Sequence, residues 1–180
     1  ITYNTNIREN EAFFYWSDLF QKLGLNTPKV FSISKDRLTY VQEFLGEQTL
    51  SEIIAKEGAS ERVKKLVKKT LDLLFQLHQK SSGKADFSQS FEYEKYDELP
   101  VTHDLYYFKN FFVDVLEIPY HKSSLLKEFK ILVKSIENLE PKVVMMRDFQ
   151  ARNIMVNEKD DVFFIDYQAA MEGPALYDCI

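Results

Sequence analysis

The sequence predicts an α+β fold in which a small sheet-bearing portion precedes a mainly helical one. Three observations carry this. Apolar residues recur at helical spacing over 8–23, 61–80, about 103–117 and 124–139, as in helices that bury one stripe. Short runs rich in β-branched and aromatic residues lie at 29–34 and 38–44, and again at 142–146, 154–156 and 162–166, with the length and composition of strands. Five Gly and five Pro in 180 residues argue against linkers or disorder, and the length suits one domain with a real core.

In chain order, "RENEAFFYWSDLFQKL" (8–23) carries Phe13, Trp16, Phe20 and Leu23 on one face, with Gly24 as C-cap and Pro28 beyond it. Glu9 lies on that same stripe. A carboxylate there either needs a partner or is simply a first-turn residue favoured by the helix dipole. The runs 29–34 and 38–44 read as a strand pair turning at "KDR". "TLSE" (49–52) is a capping-box pattern that opens a short helix to Glu57. Gly58 ends it, and Ser60 caps the helix 61–80, whose stripe is Val63, Leu66, Val67, Thr70, Leu71, Leu74 and Leu77. His78 borders the stripe as a core or boundary residue.

Residues 81–101 read as a surface loop. The helix at 103–117 presents Leu105, Phe108, Phe112, Val115 and Leu116. That at 124–139 presents Leu125, Phe129, Leu132, Val133, Ile136 and Leu139, and Pro141 stops it. "NEKDD" (157–161) is a turn between the last two strand-like runs, and "YDCI" reads as the start of another helix. The boundary between the two portions falls near Gly46, giving 1–46 and 47–180. The chain opens on Ile1 in a polar stretch, and both ends read as the middle of something longer.

Composition narrows the function. The net charge is −5 and the lysines are scattered; the densest basic stretch, "RVKKLVKK", has apolar residues at helical spacing and reads as a solvated helix face, so no nucleic-acid groove is expected. A single Cys, Cys179, excludes an intramolecular disulfide framework and a Cys-based zinc site, and fits a reducing compartment. No apolar run approaches the length of a membrane span. A cytoplasmic location with no membrane partner is the expectation.

The polar hexad inside "VVMMRDFQARNIMV" (143–156) carries the chemistry. Asp148 follows one short strand, Asn153 precedes the next, and Asp166 ends the third. If 154–156 and 162–165 pair across their turn, Asn153 falls beside Asp166. An amide oxygen and a carboxylate suit Mg²⁺, which keeps few protein ligands and completes its shell with water and phosphate oxygens. Asp148, facing the same opening, could accept the proton of an attacking hydroxyl. Singly, each reads as an ordinary turn or strand-end residue; together they read as a phosphoryl-transfer site.

At these residues the sequence resembles a known family. "RDFQARN" (147–153) and "FFIDYQ" (163–168) resemble the catalytic loop and metal-binding Asp of protein-kinase-like phosphotransferases, in the small-molecule branch of aminoglycoside phosphotransferases and choline kinases. "MMRDFQARNIMV" and "FFIDYQAAMEGPALYD" are most similar to bacterial kinases of N-acetylmuramate and N-acetylglucosamine. The resemblance implies a partial small N-lobe (1–46) and a mainly helical C-lobe (47–180), with the Gly-rich phosphate loop preceding Ile1. It implies ATP and Mg²⁺ as cofactors and a hydroxylated small molecule, a sugar or amino sugar, as acceptor. Asp148 would be the catalytic base, and Asn153 and Asp166 the metal ligands. Asp178 would brace the loop from a helix start. Glu9, with Glu11 as runner-up, would pair with the phosphate-holding lysine. Gln42, Glu43, Phe44 and Leu45 would form the hinge that meets adenine. Arg147 or Arg152 would either add positive charge at the transferred phosphate or anchor the loop. The helices at 103–139 would build the acceptor pocket. Met146 stands where the family usually has His, and "DYQ" where protein kinases have D-F-G. A pseudokinase, or a kinase of choline or an aminoglycoside, is the alternative.

Overall fold

The computed structural model describes residues 1–179. A short strand β1 (Thr2–Tyr3) leads into helix α1 (Ile7–Lys22), and the hairpin β2 (Val30–Ile33) and β3 (Thr39–Gln42) follows. These strands form an antiparallel sheet in the order β1-β3-β2. Asn6 caps α1 by accepting from the Glu9 backbone N–H, and Gly24 leaves the helix at φ 64°, a conformation that costs glycine little. Buried Asn10 donates both to the Asn4 carbonyl and to that of Arg37, at 2.9 and 2.8 Å. One amide thereby ties the entry of α1 to the β2–β3 turn.

Helix α2 (Leu50–Glu57) has the expected capping box, with Thr49 and Glu52 each satisfying the other's backbone N–H. Helix α3 (Glu61–Ser81) starts on the Ser60 cap. Its buried stripe is Val63, Leu66, Thr70, Leu74 and Leu77, whereas Val67 and Leu71 are exposed. The buried stripe is therefore narrower than the apolar pattern suggests.

The segment 81–101 is not all loop. Helix α4 begins at Glu98, capped by Asp97, and runs to Phe108. A π-helical turn (Lys109–Val113) replaces the regular helix expected to 117. The extra residue in that turn rotates the apolar stripe out of register, and Phe108, Phe112, Val115 and Leu116 are exposed. Helix α5 (Lys122–Glu137) buries Phe129 and Val133 but exposes Leu132, and Leu139 beyond its end is exposed too.

The last third pairs as two antiparallel ribbons. β4 (Lys142–Met145) pairs with β7 (Met171–Pro174), and β5 (Ile154–Val156) with β6 (Val162–Phe164). β7 is not legible in the sequence, because "MEGP" has neither alternation nor β-branched residues. A 3₁₀ turn at Tyr177–Cys179 stands where the sequence suggests the start of an α-helix. The main core joins both ends of the chain: Phe13, Trp16 and Phe20 of α1 share it with Leu66, Leu74 and Leu77 of α3 and with Ile154, Val162 and Tyr167. A second cluster gathers Tyr96, Val101, Val133, Met145 and Met171 under α4 and α5.

Gly173 marks a close approach between β4 and β7. A Cβ there would lie 2.5 Å from Met145 Sδ and 3.0 Å from Met145 Cβ, and Met145 is fully buried. Gly173→Ala is therefore expected to cost about 1–3 kcal/mol through overpacking, read as a lower urea midpoint at constant m-value. An unchanged midpoint would mean that Met145 has room to swing clear.

Candidate active site

The β5–β6 register, Ile154 opposite Phe164, places the residue before β5 beside the residues after β6. Asn153 Nδ2 donates to Asp166 Oδ2 at 3.1 Å and to the Asp148 carbonyl at 2.9 Å. Both hydrogens of the amide are thus used inward, and its Oδ1 is left as a free acceptor. Asp166 Oδ1 accepts from Gln168 Nε2 at 2.9 Å. Each Asp166 oxygen retains lone pairs, and the residue is exposed. Asn153 Oδ1 and the Asp166 carboxylate are a pair of hard oxygen donors that fits Mg²⁺. No group of three or more His, Cys, Asp or Glu side chains that could hold a metal occurs among the described residues, so a metal here would take most of its shell from water and substrate.

Gln168 stands in the sequence only as part of a motif, and the structure gives it a contact. Its Nε2 also reaches Glu9 Oε1 at 3.4 Å, and Glu9 Oε2 accepts from Asn4 at 3.1 Å. Glu9, Asn153, Asp166 and Gln168 line one cavity of about 270 Å³ with Phe13, Tyr40 and Gln42. Glu9 therefore has polar partners on the stripe, and they are amides. Glu11 turns away and pairs with Arg37, a partner that sequence spacing could not reveal.

Tyr167 holds the strand end between Asp166 and Gln168. It is fully buried, stacks on Phe13 with centroids 5.4 Å apart and meets Phe20 edge-on at 5.2 Å. Its hydroxyl and Ser17 Oγ are 2.8 Å apart. Burial pushes the Tyr167 phenol up to about 12, so it stays neutral and serves as a fixed pin. The aromatic face of α1 thus sets where Asp166 stands.

Asp148 is exposed, and its side chain carries no hydrogen bond among the described residues. Its loop is held from inside the fold. Asp178 Oδ2 accepts from the Met146 N–H at 2.6 Å and Oδ1 from the Arg147 N–H at 3.1 Å. Arg147 has φ 66° and Asp166 φ 63°, left-handed conformations that persist only where the surroundings hold them. Met146, at the position of the family's His, is buried at 2% exposure.

The two loop arginines part ways. Arg147 donates to Glu92 and to Asp104, both at 3.2 Å, so it faces carboxylates rather than the opening. Arg152 is exposed and makes no hydrogen bond or ion pair among the described residues. Of the two, Arg147 alone makes contacts that could anchor the loop. The hinge is also narrower than expected. Gln42 pairs with Val30 within the sheet, and the Glu43 N–H donates to the Lys29 carbonyl. Phe44, Leu45 and Gly46 make no backbone–backbone hydrogen bond among the described residues, and Phe44 is 78% exposed. His78 is a half-buried boundary residue whose Nε2 has no partner, and burial lowers its pKa.

Residues 5–180 match the sequence profile of the phosphotransferase enzyme family. No protein of curated function matches the chain. Among solved structures, the gentamicin–APH(2″)-IIa complex superposes with a TM-score of 0.61 at 18% identity, over 94% of this chain and 57% of that one. The choline kinase LicA from Streptococcus pneumoniae gives 0.60 at 14% identity, over 98% and 57%. The AMP-bound spectinomycin phosphotransferase APH(9)-Ia gives 0.56 at 16%, over 94% and 58%. At these identities the likeness is one of fold, and the chain spans less than two-thirds of each of these proteins.

Burial pushes the Asp178 carboxyl up to about 6, against the two backbone N–H donors that pull it down. The folded state then holds a proton that the unfolded chain, titrating near 3.9, has already lost. Stability from this group is full below about pH 4 and falls as pH rises to about 6, by about 3 kcal/mol at most. Carboxyls such as Asp160 and Asp161, held low by Arg62 and Lys69, act oppositely and at lower pH. The difference between wild type and Asp178→Asn in urea unfolding should therefore change between pH 4 and 6 and be level above. A difference independent of pH would place the Asp178 pKa at its ordinary value.

Proposed function

We propose the following activity for this chain, which belongs to the phosphotransferase enzyme family: it carries the catalytic loop and metal site of a small-molecule kinase that transfers the γ-phosphate of ATP to an acceptor hydroxyl, with an amino sugar as the acceptor class. The observation that carries the reading is the Asn153–Asp166 contact at 3.1 Å, made by an amide that also spans the loop back to Asp148. A turn needs no such arrangement. A metal site does, because it must fix two oxygen donors at the mouth of a loop that also holds a base.

The roles follow from the atoms left free. Asp148 has an unencumbered carboxylate and would take the proton of the acceptor hydroxyl. Asn153 Oδ1 and the Asp166 carboxylate would hold Mg²⁺, whose charge offsets that of the phosphates. Asp178 supports the loop backbone, and Arg152 is the cation free to meet phosphate oxygens. Glu9 sits in the same cavity as Asp166, where it would receive a lysine from the phosphate-binding side. The unpaired backbone of Phe44 and Leu45 offers donors and acceptors for adenine. Met146 packs in the core and leaves its backbone N–H on Asp178, so loss of the family's His disturbs neither the base nor the metal ligands. This weighs against a pseudokinase.

The amino-sugar assignment rests on the likeness of the 143–178 motifs to N-acetylmuramate and N-acetylglucosamine kinases. Proteins of this fold include gentamicin and spectinomycin phosphotransferases and a choline kinase, so aminoglycosides and choline are the competing acceptors. No helix among the described residues is long and apolar enough to cross a membrane, and an acceptor met in the cytoplasm is the reading we favour.

The test is ADP release by the protein as its gene encodes it, with Mg²⁺–ATP and a panel of amino sugars, aminoglycosides and choline. Asp148→Asn should lower acceptor-dependent turnover by about 10²–10⁴-fold while leaving nucleotide affinity intact. Asp166→Asn should weaken Mg²⁺–ATP binding as well, measured by calorimetry. Equal affinity losses in the two variants would contradict the division of roles, and absence of turnover with every acceptor would sink the kinase reading for this panel.

A further inference from the structure

We propose that Arg147 is a positioning residue that locks the segment 92–104 to the loop carrying Asp148, so that one cation sets both the base and the wall beside it. The proposal rests on the phosphotransfer reading for its kinetic consequence and on geometry alone for the lock itself.

Arg147 joins three parts of the chain that sequence separates widely. One guanidinium nitrogen donates to Glu92 in the loop before α4, and another to Asp104 on α4, each at 3.2 Å. The Arg147 side chain is only 15% exposed, and a planar fork of donors can serve two carboxylates at once. The other oxygen of Asp104 accepts from the Tyr96 hydroxyl at 2.9 Å. Tyr96 is buried and meets Tyr177 edge-on, with centroids 4.9 Å apart. Tyr177 precedes Asp178, and Asp178 accepts the backbone N–H of Arg147. The path closes on itself: backbone to Asp178, Tyr177 to Tyr96, Tyr96 to Asp104, and Asp104 back to the guanidinium.

Arg147 is thus gripped at its backbone and at its tip, while its φ of 66° lies outside the region an L residue prefers. Asp148 is its immediate neighbour, so any relaxation of Arg147 moves the base. Without the cation, Glu92 and Asp104 would confront each other as like charges and segment 92–104 would separate from the loop. The backbone ties at Tyr96 N to Glu172 O and Glu172 N to Glu94 O would still hold the far side of that segment to β7. The expected result of losing Arg147 is therefore a local opening at the wall, not loss of the fold. A lysine at this position would keep the charge but lack the fork, which makes Arg147→Lys the informative conservative change.

The test has two arms. In the first, amide hydrogen exchange is followed by mass spectrometry in the protein without ligands. Arg147→Met should speed exchange together in peptides covering 92–104 and 146–153, with α1 and β3 unchanged, and Arg147→Lys should give a smaller effect of the same pattern. Unchanged protection of 92–104 in Arg147→Met would overturn the lock; should that variant fail to fold, unchanged protection in Arg147→Lys and in Asp104→Asn would do so. In the second arm, ADP release is measured with Mg²⁺–ATP and N-acetylglucosamine or N-acetylmuramate. A misplaced base and wall should raise the acceptor KM and lower kcat, by about 10²-fold in kcat/KM, with the KM for ATP unchanged. A residue that merely held the fold would lower kcat alone, through loss of active enzyme, and that result would overturn the positioning role. If the wild type turns over neither sugar, the acceptor reading fails while the exchange arm still decides the lock.

Discussion

The site depends on one buried carboxylate. Asp178, 7% exposed, takes the N–H groups of Met146 and Arg147 at the point where β4 stops and the loop begins. Two successive N–H groups that point to one acceptor fix the backbone direction there. A buried, unpaired N–H costs about 1–3 kcal/mol, so the loop has a strong reason to keep this path. The left-handed turn at Arg147 follows from it. So does the place of Asp148, whose carbonyl is then available to the Asn153 amide. Asp178 can reach the loop because β7 runs antiparallel to β4 and carries the chain back under it.

A second constraint comes from α1. Phe13, Phe20 and Ser17 form one face, and Tyr167 fills it completely. Because Tyr167 lies between Asp166 and Gln168, burial of one phenol fixes two polar side chains at the surface. The apolar core and the metal ligands are therefore set by the same three-residue stretch. Gln168 then ties Asp166 to Glu9 through a single Nε2, so the position of α1 is registered at the metal site by a polar contact as well as by packing.

Periodicity and caps made much of this legible. The Thr49–Glu52 box, the Ser60 cap and the β5–β6 hairpin all follow from local chemistry, and the hairpin alone implied that Asn153 and Asp166 meet. The misses share a cause, which is that the determining contact is remote in sequence. β7 is a strand because β4 needs a partner, not because "MEGP" prefers one. Glu11 is claimed by Arg37, 26 residues away. Arg147 could be placed near phosphate or near protein by its spacing, and only Glu92 and Asp104 decide which. The shift of α4 to Glu98 is a local miss: Asp97 is a good cap, and Pro100 in the first turn of a helix is tolerated.

The division between the two arginines explains how the loop carries opposite charges close together. Arg147 is saturated by carboxylates and points into the protein, where its charge balances acids flanking the loop. Arg152 remains exposed without a partner and can answer negative charge that arrives from outside. Had both faced the opening, Glu92 and Asp104 would lack their cation, and the acids beside Asp148 would disfavour its ionised form. Had both been buried, the metal alone would meet the phosphates. Sending one inward and one outward lets Asp148 stay ionised beside an acidic wall while a positive charge is kept for the transferred group.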